Sequence, residues 1–579
     1  MTTPTRKHLP PLTAVLVALS LSIPLTPANA DAILEGERFH PAVGLNGMVA
    51  TSHTLATEVA LEVLKSGGNA IDAAVTAGFA LAVTQPRSGN IGGGGFMLIA
   101  PGDSSPVTAI DYRETAPAAA TETMFQDENG DAVTERSRFT HLAAGVPGTV
   151  AGLALALEKH GTIDLKTALA PAIKLAREGF VVPPRFTDGL ESVRDRLQQW
   201  PATRATFYKE DGSTYQPGER FRQPELADTL QRIADHGTAG FYEGETARLI
   251  VEEMSRNGGL ITEADLKNYR PVERQPVRGS YRGYDIYSMS PPSSGGTHII
   301  QILNILEGYP MGEYGHNSAQ SIHLMAEAMK LAYADRSEYL GDTDFVDVPL
   351  SGLTDKRYAT ELRADIDPGQ ARASLDIRAG NPASYESNET THFSIVDRWG
   401  NAVSNTYTIN FSYGSGITVT GAGFLLNNEM DDFSAKPGVP NAYGLIGGEA
   451  NRIEPGKRML SSMSPTIVRR DDRNVLVTGS PGGSRIITTT LQVLMNVIDH
   501  GMNIQSAVSA PRIHHQWLPD EIRIENGISP DTITLLQDMG HTVETRSAMG
   551  AIQSIHIGDD GILYGGADPR RSTSSAQGY

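Results

Sequence analysis

The sequence contains no cysteine among its 579 residues. Disulfide bonds, thiol catalysis and zinc–thiolate sites are therefore excluded, and a fold of this length is expected to be stabilised by its own core. A basic excess is also missing, because 48 Lys and Arg stand against 67 Asp and Glu and give a formal net charge of −19. Such a surface repels phosphate backbones and anionic lipid, so we expect neither nucleic acid nor a membrane surface as a partner.

Long hydrophobic runs are missing after the first thirty residues, which themselves have the pattern of an export signal. A basic pair at 6–7 precedes an apolar stretch at 12–25, and the small-x-small sequence Ala-Asn-Ala at 28–30 is a cleavage site. A retained membrane anchor is the weaker alternative, since the stretch is short and Pro24 interrupts it. We expect residues 1–30 to be removed and the mature protein to be periplasmic or secreted.

The mature chain is predicted to mix helices and sheets in one structural unit. Helical periodicity and capping residues predict two helices between 54 and 86, and others at 149–160, 164–178, 297–306, 318–340 and 485–498. Strands are predicted at "HFSIV", "NTYTINF", "GFLLNN", "SPTIV" and "NVLVTG" after Glu389. Hairpin-linked strands with helices on both sides in sequence indicate packed antiparallel sheets with helical outer layers.

The common motifs of cofactor and metal enzymes are absent. The glycine run at 92–95 is followed by Phe96, without the Lys-Ser/Thr that reaches phosphates. The sequence has no G-x-S-x-G nucleophile elbow and no H-E-x-x-H zinc motif. The doublet His514-His515 is interpreted as structural, because adjacent residues on a strand point to opposite faces. We therefore predict no cofactor and no metal.

One predicted hairpin carries hydroxyl groups at its head, in "SNETTHFSIVDRWGNAVSNTYTINFSYG" (387–414). A turn at "DRWGN" places Asp397 opposite Asn401, and the same register places Thr390 opposite Thr408. Asn410 is expected on the same sheet face, two residues further along. A pair of threonines that only fills a sheet satisfies this pattern as well. A cut before Thr390 would free an α-amine with a reference pKa of about 7.7–8.0, able to activate its own hydroxyl.

The order of several longer motifs then resembles one family. "NETTHFSIVDRWGNAVSNTYTINFSYGSG", "GFLLNNEMDDFS", "RMLSSMSPTIV" and "GSPGGSRI" are similar to the small subunit of the γ-glutamyltransferases. "SGNIGGGGFM", "DYRETAP", "GVPGTVAGL" and "PPSSGGTHIIQ" resemble their large subunit. The resemblance spans nearly the whole mature chain. It implies an α+β fold, the four-layer αββα sandwich of the N-terminal-nucleophile hydrolases, built from two chains after autocleavage between Glu389 and Thr390.

The same resemblance implies domains and site residues. The signal peptide would be 1–30, the large subunit 31–389 and the small subunit 390–579. Thr390 would be the nucleophile, and the other implied positions are Thr408 as its hydrogen-bonding partner, Gly482 and Gly483 as oxyanion donors, Arg113, Ser461 and Ser462 for the substrate α-carboxylate, Asn410, Glu429 and Asp432 for the α-ammonium, and Tyr443 on a lid loop at 437–448. The two glycines also precede a predicted helix near Ser484, whose N-terminal dipole favours negative charge.

The resemblance implies action on glutathione and other γ-glutamyl amides, with water, amino acids or short peptides as acceptors. A cephalosporin (glutaryl) acylase of the same superfamily is the second reading, because it uses the same machinery on another acyl group. An exported binding protein with an inactive hairpin is a third. Taken alone, Arg113 reads as a surface charge and Asp431-Asp432 as a solvated turn.

Overall fold

The computed structural model describes residues 40–382, 392–441 and 444–579. Most strands of this part of the chain belong to two seven-stranded sheets. The strands are β1 Ala42–Gly44, β2 Met48–Thr51, β3 Gly94–Ala100, β4 Thr108–Asp111, β5 Phe180–Val181, β6 Arg220–Phe221, β7 Val272–Arg274, β8 Val277–Tyr281, β9 Tyr284–Ser288, β10 Phe393–Val396, β11 Ala402–Thr408, β12 Thr466–Arg470, β13 Arg473–Thr478, β14 Ile513–His514, β15 Ile522–Ile524, β16 Val543–Thr545, β17 Gln553–Ile557, β18 Leu563–Ala567 and β19 Ser575–Gly578.

Helices flank these sheets and connect their strands. They are α1 Thr54–Lys65, α2 Ala70–Thr84, α3 Thr134–Arg138, α4 Thr149–His160, α5 Leu165–Glu178, α6 Pro184–Glu191, α7 Arg194–Gln198, α8 Pro201–Phe207, α9 Pro224–His236, α10 Ala239–Tyr242, α11 Gly244–Asn257, α12 Glu263–Asn268, α13 Ser294–Leu306, α14 Met311–Tyr314, α15 Ala319–Tyr339, α16 Leu350–Leu353, α17 Lys356–Ala364, α18 Arg485–Ile498, α19 Ile504–Ser509 and α20 Pro530–Asp538. The seven helices expected from the sequence all form, and α13 begins three residues earlier than predicted.

The two large sheets stack face to face between helical layers. One has the strand order β1-β18-β17-β13-β12-β9-β8 and the other β19-β2-β10-β11-β3-β4-β7. Alternate side chains of the second sheet separate two cores: Met48 and Phe96 pack towards Ile467 of the first sheet, whereas Val49 and Met97 pack with α1, α2 and α4. The far face of the first sheet packs with α13, α15 and α18. The layers are thus αββα, and the expected fold class is confirmed.

The hairpin formed by β10 and β11 has the predicted register. Phe393 lies opposite Asn405 and Val396 opposite Ala402, and Asp397 N–H donates to Asn401 O at 3.1 Å. The turn sequence was sufficient because a tight turn sets the pairing of the strands that it joins. The extension of this register to Thr390 falls outside the described residues.

The predicted strand "GFLLNN" is wrong. Residues 423–428 make only an isolated bridge, between Leu425 and Thr418. Their asparagines bind the backbone of other segments: Asn427 Nδ2 donates to Gly92 O and Gly145 O, both at 2.8 Å. Backbone hydrogen bonds to residues 415–419, such as Leu426 N–H to Ile417 O at 2.8 Å, and these side-chain bonds hold the segment without a regular ladder, which its apolar pattern does not reveal.

Each large sheet mixes strands from before and after position 390. In the second sheet β10 lies between β2 and β11, and β11 pairs on its other side with β3 along seven residues, from Ala402 opposite Ala100 to Thr408 opposite Gly94. In the first sheet β12 pairs with β9. Along the described chain, no helix combines the length and the apolar character that crossing a membrane would require.

Candidate active site

A cavity of about 510 Å³ lies where β11 ends. Its lining contains eight of the residues singled out from the sequence, which come from segments up to 370 positions apart in number. They are Arg113, Thr408, Asn410, Glu429, Asp432, Ser461, Gly482 and Gly483. A cavity of this size is typical of a small-molecule site.

The end of β11 positions Thr408 at the cavity. Thr408 is the last residue of the strand and lies opposite Gly94 of β3. The neighbouring glycine run is required by close packing, since a Cβ at Gly93 would lie 1.9 Å from Thr408 O. This backbone contact explains the glycines without any bound phosphate.

Asn410 reaches the cavity through a turn rather than along the strand. The strand ends at Thr408, and Asn410 has a φ of 70°, in the left-handed region that asparagine tolerates. Its N–H donates to Thr408 Oγ1 at 2.7 Å, and its Nδ2 donates to Asn428 O at 2.9 Å. The expectation that strand alternation places Asn410 beside Thr408 was therefore wrong in its reason, although both residues line the cavity.

Arg113 is not a surface charge. It follows β4, is fully buried, and its guanidinium donates to Glu429 Oε2 at 2.6 Å and to Asp432 Oδ2 at 2.7 Å. Glu114 adds a third carboxyl group, 3.6 Å from Arg113 Nη1. One buried cation thus lies among three acidic groups at one end of the cavity, where they partly neutralise one another.

The acidic groups around Arg113 hold protons more tightly than free carboxyls. Burial raises the pKa of Glu114 to about 8 and that of Asp432 to about 6, with Arg113 opposing both shifts. Burial also raises the pKa of Glu429, again against Arg113. A second cation beside these groups would favour their ionised forms, so this end of the cavity is suited to an ammonium group.

Ser461 and Ser462 occupy different positions. Ser461 lines the cavity, whereas Ser462 is fully buried and does not. Neither hydroxyl has a hydrogen-bond partner among the described residues. A buried hydroxyl without a partner is costly, so the hydroxyl of Ser461 is suited to a polar ligand atom.

Gly482 and Gly483 lie directly before the N-terminus of α18, with Ser484 at its N-cap. Their φ angles are 143° and 60°, so both conformations favour glycine. Within the described residues neither amide donates a hydrogen bond to another group. Two amides at the start of a fourteen-residue helix can bind a developing negative charge.

Three predicted site residues, Glu389, Thr390 and Tyr443, lie outside the described residues. Within the described parts of the predicted lid, Pro440 and Ile446 form an isolated antiparallel bridge. Asn441 and Leu445 of this loop line a minor cavity together with Asp432. The loop is therefore adjacent to the acidic end of the large cavity.

Several cavity residues were missed by sequence reasoning. The charged ones are Arg87, Arg185, Arg485, Arg570 and Arg571. Glu114, which pairs with Arg113 but does not line the cavity, was missed as well. The doublet Arg570-Arg571 near the C-terminus was the one local signal that could have been noticed.

Among the described residues, His323, Glu327 and His541 form the one buried group with possible metal-ligand spacing. His323 Nδ1 and His541 Nε2 share a hydrogen bond of 2.8 Å, and Lys330 Nζ lies 2.8 Å from Glu327 Oε1. Hydrogen bonding and an ion pair account for this group, so we assign no metal to it.

Comparison with known proteins agrees with this geometry. The family model of γ-glutamyltranspeptidase matches residues 56–578. A glutathione hydrolase proenzyme of Escherichia coli (strain K12) is 54% identical over 547 residues, 94% of each chain. The crystal structure of a Helicobacter pylori γ-glutamyltranspeptidase has a TM-score of 0.57 at 46% identity and covers 60% of this chain and 97% of its own. A cephalosporin acylase from Bacillus halodurans has a TM-score of 0.85 at 29% identity, covering 95% and 99%.

The family match covers nearly all of the described chain, and the Escherichia coli relative is 54% identical over an alignment that covers 94% of this chain. The αββα layers and the cavity at the end of β11 agree with this match. The protein therefore belongs to the γ-glutamyltranspeptidase family.

Proposed function

We propose that this protein is a γ-glutamyltransferase and glutathione hydrolase, made as a proenzyme that is cut between Glu389 and Thr390. The main support for the proposal is that the Arg113 guanidinium, inside the cavity, pairs with two carboxyl groups. Its Nη1 lies 2.6 Å from Glu429 Oε2, and its Nη2 lies 2.7 Å from Asp432 Oδ2. An α-amino acid head group needs one cation for its carboxylate and one or more anions for its ammonium, and this end of the cavity holds both.

In the proposed reaction Thr390 Oγ attacks the γ-carbonyl carbon, and the α-amine of Thr390 accepts the hydroxyl proton. The carbonyl oxygen becomes an oxyanion, which the N–H groups of Gly482 and Gly483 stabilise. The C–N bond then breaks, and the leaving amine takes the proton. Water or an acceptor amine attacks the resulting γ-glutamyl-threonine ester and releases glutamate or a new γ-glutamyl amide.

The remaining residues are proposed to bind and orient the donor. Arg113 binds the α-carboxylate with Ser461 and Ser462, and Asp432, Glu429 and Asn410 receive the α-ammonium. Thr408 positions the Thr390 hydroxyl, and Tyr443 closes the lid over the donor. The lining of one cavity by residues of most of these groups supports the assignment.

Maturation is proposed to yield a large subunit of residues 31–389 and a small subunit of 390–579, after removal of the export signal 1–30. The signal pattern supports a periplasmic or secreted location. Acceptors are proposed to be water, amino acids and short peptides.

The glutaryl acylase reading deserves a direct test, because an acylase shares the fold. Glutaryl and γ-glutamyl groups both carry the carboxylate that Arg113 would bind. Only the γ-glutamyl group carries an ammonium for Asp432 and Glu429, and these two carboxyl groups favour the γ-glutamyl substrate.

The test is release of p-nitroaniline from γ-glutamyl-p-nitroanilide by the purified protein, with and without glycylglycine. We expect steady release, faster release with glycylglycine, and none from Thr390→Ala. A protein that has been cut yet releases no nitroaniline would contradict the proposal. Binding of glutathione without release of glutamate would indicate the binding protein instead.

A further inference from the structure

Three arginines from distant segments meet on one wall of the large cavity. Arg87 follows α2, Arg185 lies in α6, and Arg571 lies between β18 and β19. All three also line a small neighbouring cavity of about 40 Å³. The fold thus gathers three guanidinium groups between two cavities, in a chain whose net charge is −19.

No carboxylate of the described chain forms an ion pair with these three arginines. Arg87 Nε donates to Ser412 Oγ at 2.9 Å, and Arg185 Nη1 donates to Arg570 O at 3.4 Å. The guanidinium of Arg571 makes no hydrogen bond to another described residue.

Two acidic residues near this wall, Asp568 and Glu525, already have partners, and Asp188 acts on Arg185 without forming an ion pair with it. Asp568 Oδ2 lies 2.7 Å from Arg512 Nη2, and Asp568 Oδ1 lies 3.2 Å from Arg570 Nη1. Glu525 is held by Arg570 at 2.5 Å. Among the described residues, the positive charge of the wall is therefore left for a group that the fold does not supply.

Burial, with repulsion between these arginines as a further cause, lowers the pKa of two of them. Burial, together with Arg87 and Arg185, lowers the pKa of Arg571 to about 9. Burial and Arg87 also lower the pKa of Arg185, although Asp188 and Asp568 oppose this. Like charges brought together at a cavity indicate a binding site for the opposite charge.

This wall is separate from the end of the cavity that holds Arg113. At that end Arg113, Glu114, Glu429 and Asp432 act on one another, whereas the charged groups that act on Arg571 include Arg87, Arg185 and Asp568. The cavity thus has one end where opposite charges are paired and another where positive charges are not.

We propose that Arg87, Arg185 and Arg571 bind a carboxylate on the amine side of the scissile bond. The ligand class is a short peptide with a free C-terminal carboxylate, both as the leaving group of the donor and as the acceptor. This inference rests on the proposed function. A dipeptide leaving group places its carboxylate about 7 Å beyond the scissile bond, at roughly 3.5 Å per extended residue. Guanidinium forks bind carboxylates with two parallel hydrogen bonds, which suits this role.

The test compares glutathione with glutathione amidated at its glycine carboxylate, by measuring release of glutamate. We expect the wild type to prefer the acid in kcat/KM, and Arg571→Gln to reduce that preference by roughly ten- to a hundredfold, mainly through KM. Arg571→Lys should retain part of the preference because it keeps the charge. Arg357→Gln is the matched control, since the Arg357 side chain is 90% exposed and pairs with Asp355, its neighbour in sequence, and does not line the cavity.

The ratio of the two substrates within one variant does not depend on the fraction of enzyme that folds. If Arg571→Gln yields too little protein, the same ratio can be measured in Arg87→Gln. Equal kcat/KM for acid and amide in the wild type would overturn the inference, and so would an unchanged ratio in Arg571→Gln. Release from γ-glutamyl-p-nitroanilide with no preference for the acid would overturn the inference alone. No release from any γ-glutamyl substrate would overturn the proposed function as well.

Discussion

Replacing Asp432 with asparagine keeps the shape of the side chain and removes one negative charge from the cavity. Asp432 Oδ2 accepts a hydrogen bond from Arg113 Nη2 at 2.7 Å, and its side chain is 11% exposed. The neighbouring Glu429 is fully buried. Asp432 is therefore the more accessible carboxyl group of the two, and we expect it to form the closer contact with a substrate ammonium.

The magnitude follows from the partner that Asp432 already has. A buried carboxylate with no cation would cost about 3–5 kcal/mol when a glutaryl group replaces a γ-glutamyl group. Arg113 reduces this cost, because it pairs with both carboxyl groups in the absence of substrate. What remains is a hydrogen bond to a charged group, about 1.5–3 kcal/mol, or roughly ten- to a hundredfold in rate.

We therefore expect the kcat/KM of the wild type to be roughly ten- to a hundredfold higher for γ-glutamyl-p-nitroanilide than for glutaryl-p-nitroanilide. Asp432→Asn should reduce the ratio by roughly tenfold, by slowing the γ-glutamyl reaction. Asp228→Asn is the control, because Asp228 lies on the surface in α9, pairs with Arg177 at 3.1 Å and does not line the cavity. Equal wild-type values for the two anilides would refute the reasoning and favour the acylase.

Three further predictions concern the hairpin and the pH dependence. Thr390→Ala should remain a single chain on a denaturing gel, whereas Thr391→Ala should still be cut; cutting of Thr390→Ala at the same bond would exclude self-cleavage by Thr390. Thr408→Val should lower kcat of the matured enzyme roughly tenfold or more, because it removes the acceptor of the Asn410 N–H and a hydroxyl of the cavity. An unchanged kcat would leave Thr408 as a sheet residue. Burial raises the pKa of Asp432 to about 6, so protonation below that pH should remove the anion and make kcat/KM fall more steeply than protonation of the Thr390 α-amine alone; Asp432→Asn should lose this additional fall near pH 6 and keep only the fall due to the amine.

Local signals predicted the parts of the fold that depend on local chemistry. Asn69 was identified as a cap, and its Oδ1 accepts from Asp72 N–H while Asp72 accepts from Asn69 N–H, at 2.9 and 2.8 Å. The bounds of α18 and the register of the β10–β11 hairpin followed in the same way from capping and turn residues.

The rest depends on contacts between distant segments. Asn410 leaves the strand because its backbone turns to bond with Thr408 Oγ1, which alternation does not encode. The family resemblance predicted Arg113, Glu429 and Asp432 as site residues, and they do line one cavity, whereas their pairing with one another was not predicted. Arg87, Arg185 and Arg571 share no sequence motif, and only the folded chain brings them to one cavity.

Both large sheets contain strands from before and after position 390, so a cut at this position does not separate the two pieces. A cut between 389 and 390 breaks none of the described strand pairings, so the hydrogen-bond ladders of β2 with β10 and of β3 with β11 would keep the two pieces together. Separating them requires opening both large sheets and exposing the core between them, which amounts to unfolding the molecule. The covalent bond at this point is then dispensable for assembly once folding is complete, and two bands on a denaturing gel should correspond to one particle that melts in a single transition.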